Sequence, residues 1–254
     1  MVGNVVRQHS RHGFSARRSP VTPRHSLPQR VFTTLFKLVL GVLLLSVTWV
    51  VLYRFVDPPL TAPMIADAVH GQHVERRWIP LGRIARAVPR AAIGAEDANF
   101  CSHNGFDIAA IEAALARNAT SKKLRGGSTI SQQTAKNAFL WPDRSWLRKG
   151  LESWFTVLIE AIWGKPRIME VYLNIAEFAP GVYGVEAAAQ HYFGVSAAQL
   201  SPLEAARLAA VLPQPIKRDA ATPGRYVRRH AGRIEKRIGV VRRDGIDGCL
   251  NGAR

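Results

Sequence analysis

The longest uninterrupted apolar run in the chain covers residues 31–53. It contains one charge, Lys37, and two aromatic residues, Trp49 and Tyr53, lie near its end. A helix of roughly 20 residues crosses the hydrocarbon core of a bilayer, and aromatic rings favour the membrane interfaces. The alternatives are a cleaved signal peptide and a buried core helix. The run is too long for the apolar part of a signal peptide and no small-residue cleavage site follows it, so we predict a retained transmembrane helix over residues 31–53.

Beyond this run, apolar positions recur at helical spacing in short segments that glycine and proline separate. The clearest segment, residues 145–163, forms one apolar stripe of Leu147, Leu151, Trp154, Phe155, Leu158 and Ile162. A short strand is predicted over residues 74–79 and a helical turn over residues 83–88. Further helices are predicted over residues 90–100, 108–117, 128–140, 168–174, 186–193, 201–211 and 226–241, with a turn at residues 180–184. The pattern therefore predicts a compact, mainly α domain of short helices.

The distribution of charge predicts where the chain lies relative to the membrane. The formal net charge is +17 over 254 residues, and residues 1–30 contain six arginines and no acid. By the positive-inside rule such a segment stays in the cytoplasm. The residues after the apolar run are then extracytoplasmic, on the periplasmic side of a bacterial inner (cytoplasmic) membrane. This placement argues against nucleic acid as the partner of the basic surface.

These patterns divide the chain into five segments. We predict a disordered basic tail over residues 1–30, the transmembrane helix over residues 31–53, a membrane-proximal linker over residues 54–77, a helical domain core over residues 78–215 and a basic extension over residues 216–254. The last dozen residues are predicted to be loose. Cys101 and Cys249 lack the spacing of a metal site, and the sequence leaves open whether they pair.

The first candidate for chemistry is the adjacent carboxylate pair Glu96 and Asp97, which follows a run of small apolar residues. A carboxylate pressed against apolar side chains loses water, and its pKa rises toward neutrality, as a general base or acid requires. Phe100, His103 and Gly105 follow and are expected to shape the turn that holds the pair. The alternative is a solvated Glu-Asp pair on a helix face.

A second candidate is an anion site at the start of a helix. Glycines let backbone N–H groups approach a ligand closely, and the free N–H groups of a helix N-terminus favour phosphate. Hydroxyl, carboxamide and ammonium groups for sugar or phosphate oxygens follow the glycines. The set is Gly126, Gly127, Ser128, Gln132, Gln133 and Lys136. The alternative is an ordinary helix cap after a flexible loop.

A third candidate is a carboxylate with two flanking cations. Arg148 and Lys149 precede Glu152 by four and three residues, so all three share one helix face. The cations could hold a diphosphate beside the carboxylate. The alternative is a surface ion pair, which stabilises a helix by only about 0.2–0.5 kcal/mol.

The candidate blocks occur in an order that resembles a known family. The pattern EDxxFxxHxG covers residues 96–105, GGSTIxQQ residues 126–133, RKxxE residues 148–152 and KxxIMExYLN residues 165–174, and GVYGVEAAAQHYFG follows at residues 181–194. Together they resemble the signature of the peptidoglycan glycosyltransferases, in particular the monofunctional members with an N-terminal anchor. Each block alone is a weak signal, but five in order are specific.

The resemblance implies a lysozyme-like helical domain that polymerises lipid II into β-1,4 glycan strands and releases undecaprenyl diphosphate. It assigns Glu96 as the general base of an inverting reaction, with Asp97 as its support, and places Glu152 on the diphosphate side. Cations would neutralise the leaving diphosphate, and polar groups would hold sugar and phosphate oxygens. The cations are Lys136, Arg148 and Lys149, and the polar groups are Ser128, Gln132, Gln133 and Asn174.

The resemblance requires no cofactor, although it leaves open a divalent cation near the diphosphate. The implied partners are lipid II, the growing glycan strand, the membrane, and cell-wall synthesis or division proteins. Tyr172, Ala187 and Phe193 are predicted to be packing residues. A lytic transglycosylase or muramidase, which also uses a glutamate on a lysozyme-like fold, is one alternative, and a non-catalytic membrane-anchored cell-wall-binding protein is another. The paired glutamates and the cation cluster favour the polymerase.

Overall fold

The computed structural model describes residues 27–120, 126–143 and 145–252. Most of the predicted basic tail, residues 1–26, lies outside this range. The chain divides into two compact units, with the boundary between Leu43 and Leu44.

The first helix, α1, spans Leu27–Phe55 and contains the predicted transmembrane segment. Within the part of the chain that the structure describes, it is the one helix long and apolar enough to cross a membrane, over Gln29–Phe55. Val31, Phe32 and Leu45 are each more than 60% exposed, unlike the side chains of a soluble core helix. The helix therefore fits a single-pass membrane anchor.

The second unit is built almost entirely of helices, which confirms the predicted fold class. These are α2 (Ala62–Val69), α3 (Ala87–Glu96), α4 (Ile108–Thr120), α5 (Ile130–Phe139), α6 (Trp146–Ile162), α7 (Lys165–Ile175), α8 (Val185–Phe193), α9 (Pro202–Val211) and α10 (Arg225–Arg243). Two 3₁₀ turns cover Leu81–Arg83 and Gly248–Leu250.

A small sheet connects the start of this unit to its centre. Strand β1 (Glu75–Arg76) pairs parallel to β3 (Val182–Tyr183), and β3 pairs antiparallel to β2 (Glu177–Ala179). The predicted strand over residues 74–79 is therefore present but short. The predicted turn at residues 180–184 includes β3, because Gly181 at φ +72° turns the chain back beside β2.

Two helix starts follow the sequence signals closely. At α5, Thr129 accepts from the Gln132 backbone N–H while the Gln132 side chain accepts from the Thr129 N–H, which is a capping box. Ser201 and Glu204 form the same arrangement at α9. The predicted start of helix α3 at residue 90 is wrong, because α3 already includes Pro89. It lies in the first turn of α3, where its missing N–H has no helical acceptor, and α3 ends at Glu96 rather than at residue 100.

The predicted apolar stripe of α6 does not describe its buried side. Leu147 is 70% exposed, and of the six stripe residues only Phe155 is fully buried. The buried line is instead Glu152, Phe155, Thr156 and Ile159. The helix is rotated toward its charged face because Glu152 pairs internally with cations, and a periodicity argument counts such a residue as outward-facing.

The basic extension packs into the second unit, where α10 lies along α9 and α3. Val227, Ala231, Ile234 and Ile238 form its buried face. The prediction of a loose C-terminus is wrong for residues 243–252. Leu250 is fully buried, and a disulfide joins Cys249 to Cys101.

Candidate active site

Glu96 is the last residue of α3, where the negative end of the helix dipole disfavours a carboxylate. Its Oε2 atom accepts a hydrogen bond of 3.0 Å from Nε2 of Gln133 on α5. Burial, assisted by the neighbouring Asp97 charge, raises the pKa of Glu96, while the Gln133 bond and the more distant Arg218 oppose the rise. A carboxylate with a raised pKa accepts a proton more readily at neutral pH.

Asp97 connects the end of α3 to the start of α5. Its buried carboxylate accepts the backbone N–H of Ile130 at 2.9 Å, which is a free N–H at the positive end of α5. His103 Nε2 lies 3.0 Å from both Asp97 oxygens, and Nδ1 of His103 accepts from the Gly105 N–H at 3.0 Å. Because Nδ1 is an acceptor, Nε2 must carry the hydrogen that points to Asp97. Asp97 therefore fixes both the helix and the turn that follow Glu96.

Gly105 closes this turn at a position where only glycine fits. Its φ is +92°, and an added Cβ would lie 2.7 Å from Cγ2 of Thr156 and 3.0 Å from Cγ of Glu160. Its carbonyl oxygen accepts the Thr129 hydroxyl at 2.6 Å, which joins the turn to the cap of α5. The turn, α5 and α6 are therefore packed without room for a side chain at this residue.

We expect Gly105→Ala to destabilise the protein by roughly 2–4 kcal/mol, because a left-handed backbone and an overpacked methyl group both cost energy. Gly150→Ala on the exposed face of α6, where an added Cβ meets nothing within 4 Å, provides the matched control. It should stabilise the helix by about 0.5–1 kcal/mol. Denaturant unfolding of both variants checks the pair, and an equal response at the two glycines would contradict the packing argument.

A buried set of polar contacts supports the outer side of the turn. The ring of Phe100 is fully buried, and Nζ of Lys165 lies 4.6 Å from its centroid. The same ammonium group pairs with Glu160 at 2.7 Å, and Glu160 accepts the hydroxyl of Ser131 on α5. The residues predicted to shape the turn thus contact α5, α6 and α7 at once.

Glu152 lies inside the protein rather than on a solvated helix face. Its side chain is 4% exposed, with Arg148 NH1 3.0 Å from one oxygen and Lys149 Nζ 2.5 Å from the other. The Arg148 side chain is 11% exposed and the Lys149 side chain 42%. Nε of Arg148 is buried and has no hydrogen-bond partner in the part of the chain that the structure describes. The pair of cations is therefore fixed in position by one carboxylate.

The predicted substrate residues fall into two depressions. A cleft of about 450 Å³ is lined by Gln133, Lys136, Arg148 and Tyr172, and it extends to Glu177 and Pro215. A groove of about 250 Å³ is lined by the polar residues Ser128, Gln132 and Lys149, by Gly127 and by the apolar residues Ile111, Ala114 and Leu115. Glu152 holds one cation of each depression. The sequence placed all these residues in one site, and the structure separates them into a cleft that contains Lys136 and Arg148 and a largely apolar groove.

Asn174, Gly126 and Gly127, which were predicted to belong to the site, are packed to different degrees. Asn174 is fully buried, and its amide group bonds to both backbone groups of Ile79 and to the Glu170 carbonyl. An added Cβ on Gly127 would touch Ala114 and Ile111 of α4 at 3.4 Å, whereas Gly126 is exposed with open space. The geometry therefore places Asn174 in the frame of the site, behind the cleft surface.

Two residues near Glu96 were not assigned to the site from the sequence. Tyr172 was predicted to be packing, yet it lines the cleft, and its buried hydroxyl has no hydrogen-bond partner among the residues described. Burial and the nearby Glu96 and Asp97 carboxylates raise its pKa, so the phenol stays protonated. Arg218, in the extension that matched no recognised block, contributes positive potential at Glu96. Tyr172 belongs to the KxxIMExYLN block at residues 165–174, which is the signal that could have found it, whereas Arg218 has no periodic or motif signal.

Among the described residues, no group of three or more His, Cys, Asp or Glu side chains is placed to hold a metal ion. The carboxylate nearest the cation pair, Glu152, is bonded through both oxygens to Arg148 and Lys149.

Comparison with known proteins relates the chain to a set of named enzymes. A family model described as Transglycosylase matches residues 63–240. The chain is 57% identical over 201 residues to a biosynthetic peptidoglycan transglycosylase of Caulobacter vibrioides, covering 79% of this chain and 88% of the relative. Relatives of the same name in Rhodospirillum centenum and Pseudomonas aeruginosa are 49% and 48% identical, with 98% and 92% of their lengths covered and 89% and 82% of this chain.

Proposed function

The chain belongs to the transglycosylase family and is a peptidoglycan glycosyltransferase, and we propose that it polymerises lipid II into β-1,4 glycan strands with release of undecaprenyl diphosphate. Its helical second unit agrees with the lysozyme-like domain expected of the family. The observation on which the proposal rests is Glu96, a carboxylate of raised pKa bonded to a residue of a cation-lined cleft.

In this proposal Glu96 is the general base. It takes the proton from the 4-hydroxyl of the acceptor N-acetylglucosamine as that oxygen attacks the anomeric carbon of the donor N-acetylmuramic acid. The bond from this carbon to the diphosphate oxygen breaks at the same time, so the α-linked donor gives a β-linked product. Asp97 is a positioning residue, because its bonds to His103 and Ile130 hold the turn and α5 around Glu96.

The leaving diphosphate gains negative charge as the bond breaks, and fixed cations stabilise that charge. Arg148 and Lys149 are held in place by Glu152, and Lys136 lines the same cleft as Arg148. The apolar wall of the neighbouring groove, with Ile111 and Leu115, suits the first prenyl units that follow the diphosphate. These cations can neutralise the diphosphate without a cofactor.

A polyprenyl substrate must be met at the bilayer surface, and α1 provides a candidate anchor there. Six arginines precede the apolar run, so the proposed orientation has the N-terminus in the cytoplasm and the enzymatic unit on the periplasmic side. Fusion of a periplasm-dependent reporter to the C-terminus should give signal, and a reporter active only in the cytoplasm should give none.

The direct test is incubation of the purified full chain with labelled lipid II in detergent. We expect glycan polymer that a muramidase digests. Degradation of preformed glycan without any polymer would instead support the lytic transglycosylase. If the protein does neither but retains cell-wall material in pull-down, the non-catalytic binding protein would be favoured.

We propose that the Tyr172 side chain turns when substrate enters the cleft, so that its hydroxyl, which is buried in the free protein, donates to substrate. Tyr172→Phe should then lower the polymerisation rate by about 2–10-fold, the value of one hydrogen bond. The substitution removes a buried hydroxyl with no described partner, so the free energy of unfolding should stay the same or rise. Tyr192→Phe is the matched control outside the two depressions, because that hydroxyl donates to the Phe178 carbonyl at 3.0 Å and its loss should destabilise the fold. An unchanged rate in Tyr172→Phe would return Tyr172 to a packing role.

A further inference from the structure

The C-terminal segment, which consists of α10 and the residues up to 252, contacts α3 along its whole length. Helix α3 is the helix that ends in Glu96. The carbonyl of Leu250 accepts from Arg86 at 3.4 Å, and Asp247 pairs with Arg90 at 2.7 Å. One turn further on, NH1 of Arg237 donates to the Gly94 carbonyl at 2.8 Å. These contacts follow one another at intervals of four residues, so they lie on a single face of α3.

This attachment has a buried core of its own. The Asp247 side chain is 5% exposed and the Arg90 side chain 20%, so the ion pair is shielded from solvent. Leu250 is fully buried. Gly94 lies so close to α10 that an added Cβ would be 3.0 Å from Cβ of Arg237. Both α10 and the residues that follow it therefore contact α3.

The Cys101–Cys249 disulfide extends the attachment beyond the end of the helix. Cys101 lies five residues after Glu96, inside the turn that Asp97 and His103 organise, and Cys249 belongs to the last 3₁₀ turn. The bridge joins positions 148 residues apart in sequence. Both cysteines are partly exposed to solvent as whole residues. Asp247, Cys249 and Leu250 all lie after residue 240, where the family match ends.

We propose that the Cys101–Cys249 bridge and the Arg90–Asp247 ion pair position Glu96 for proton abstraction, so that the rate of glycan polymerisation depends on the thiol–disulfide state of this bridge. The inference rests on the proposed function of Glu96. The segment holds α3 from one side and the turn after Glu96 from the other, so the base lies between two fixed points. A periplasmic location would keep the bridge oxidised.

Opening the bridge releases the turn while the α3 contacts remain. A phosphine reduces the disulfide to two thiols and takes its oxygen from water, so two electrons and two protons reach the sulfur atoms. Apart from the backbone, the residues around Cys101 are then held only by noncovalent contacts, among them the hydrogen bonds of His103 to Asp97 and of Thr129 to the Gly105 carbonyl. A displacement of about 1 Å at a catalytic group can cost up to 10²-fold in rate, and greater access of water to Glu96 would lower its pKa toward the ordinary value.

The test compares the oxidised full chain with the same protein after treatment with a phosphine and its removal, under an inert atmosphere. We expect kcat to fall about tenfold on reduction, with KM for lipid II unchanged within about twofold. The acidic limb of the pH–rate profile should move to lower pH, because a better hydrated Glu96 ionises more easily. Reduction of a disulfide with a purely structural role would not shift the acidic limb of the pH–rate profile.

Two variants separate the bridge from its neighbours. Cys249→Ser should behave as the reduced enzyme does, and the phosphine should have no further effect on it. Asp247→Asn keeps the bridge and removes the charge that pairs with Arg90, so its acidic limb should shift in the same direction. Asp244→Asn is the matched control, because Asp244 pairs only with exposed Arg243 among the contacts described and should retain the oxidised wild-type rate.

Hydrogen exchange tests the same inference without any activity. Reduction should speed exchange at the Gly105 and Ile130 amides, which hydrogen-bond to His103 and Asp97. If oxidised protein forms no polymer, the proposed function fails, and exchange alone decides the positioning role. Equal rates, limbs and exchange in the two redox states would overturn the inference. Loss of helical circular dichroism in step with activity would also overturn it, because the bridge would then serve overall stability.

Discussion

Glu96→Gln is expected to lower the rate of lipid II polymerisation by roughly 10²–10⁴-fold, the range attributed to a positioned general base. The amide has almost the same volume as the carboxylate and can still contact Gln133, but it cannot take a proton. Single-turnover measurement with labelled lipid II checks the chemical step directly. Glu235→Gln is the matched control, since it makes the same chemical change at an exposed position of α10.

The pH dependence of the wild-type enzyme provides a second measurement of the same role. Burial raises the pKa of Glu96, so kcat/KM should begin to fall, as the pH is lowered, at a higher pH than for an exposed glutamate. The limb should be absent from the residual activity of Glu96→Gln. A wild-type rate in Glu96→Gln, or a limb that survives the substitution, would remove Glu96 from the base role.

Glu96→Gln should change the stability of the protein in the opposite direction to its activity. A carboxyl group whose pKa is raised on folding contributes its stability below its unfolded pKa, near 4.5, and loses it as the pH rises through the folded value. The ionised form of Glu96 therefore costs the native state stability at neutral pH. Glu96→Gln should be at least as resistant to thermal unfolding as the wild type at pH 8, and the difference should vanish below about pH 4.5.

The sequence predicted the elements of this fold well where local chemistry determines them. The starts of α5 and α9, where Thr129 and Ser201 form capping boxes, and the long apolar helix α1 follow from residue types a few positions apart. The orientation of α6 could not be predicted in the same way. Its apolar stripe left Leu147 exposed, whereas Glu152 turned inward because Arg148 and Lys149 supply its counter-charges. Periodicity measures the hydrophobicity of a face and contains no information about internal ion pairs.

In the candidate site, too, some residues could be predicted from local sequence and others could not. Blocks of residues in order indicated Glu96, Glu152 and the cations, because each chemistry needs particular residue types. Tyr172 is part of the KxxIMExYLN block, but its proximity to Glu96 depends on the tertiary fold. Arg218 lies in no recognised block and reaches Glu96 through the same fold, so no local pattern could assign it. The attachment of Asp247 to α3, and of Cys249 to the turn after α3, depends on contacts more than 140 residues apart in sequence, which a single sequence does not reveal.

Glu152→Gln is expected to lower kcat by about 10²–10³-fold, as the loss of one preorganised charge-stabilising group does in other enzymes. Without the carboxylate, Arg148 and Lys149 are close like charges with no fixed position. The KM for lipid II should stay the same or fall. The uncompensated cations attract the diphosphate before and after the reaction as strongly as during it, and such uniform binding does not raise kcat.

The same substitution should also destabilise the fold. Removing one partner of a fully buried ion pair costs about 3–5 kcal/mol, and the cost here should be smaller, because the Lys149 side chain is 42% exposed. Glu170→Gln provides a control for stability. It breaks an ion pair with Arg167 at the same i,i+3 spacing, while its amide oxygen can still accept from the Leu81 N–H, and Glu170 lines neither depression.

Rates must therefore be compared per folded molecule, with the folded fraction taken from circular dichroism at the assay temperature. Glu170→Gln should lose stability and keep its rate within about threefold, a change of less than 1 kcal/mol in the barrier. Glu152→Gln should lose rate well beyond its loss of folded protein. If its rate fell only in proportion to the unfolded fraction, Glu152 would be a structural ion-pair partner and the diphosphate would be neutralised without it.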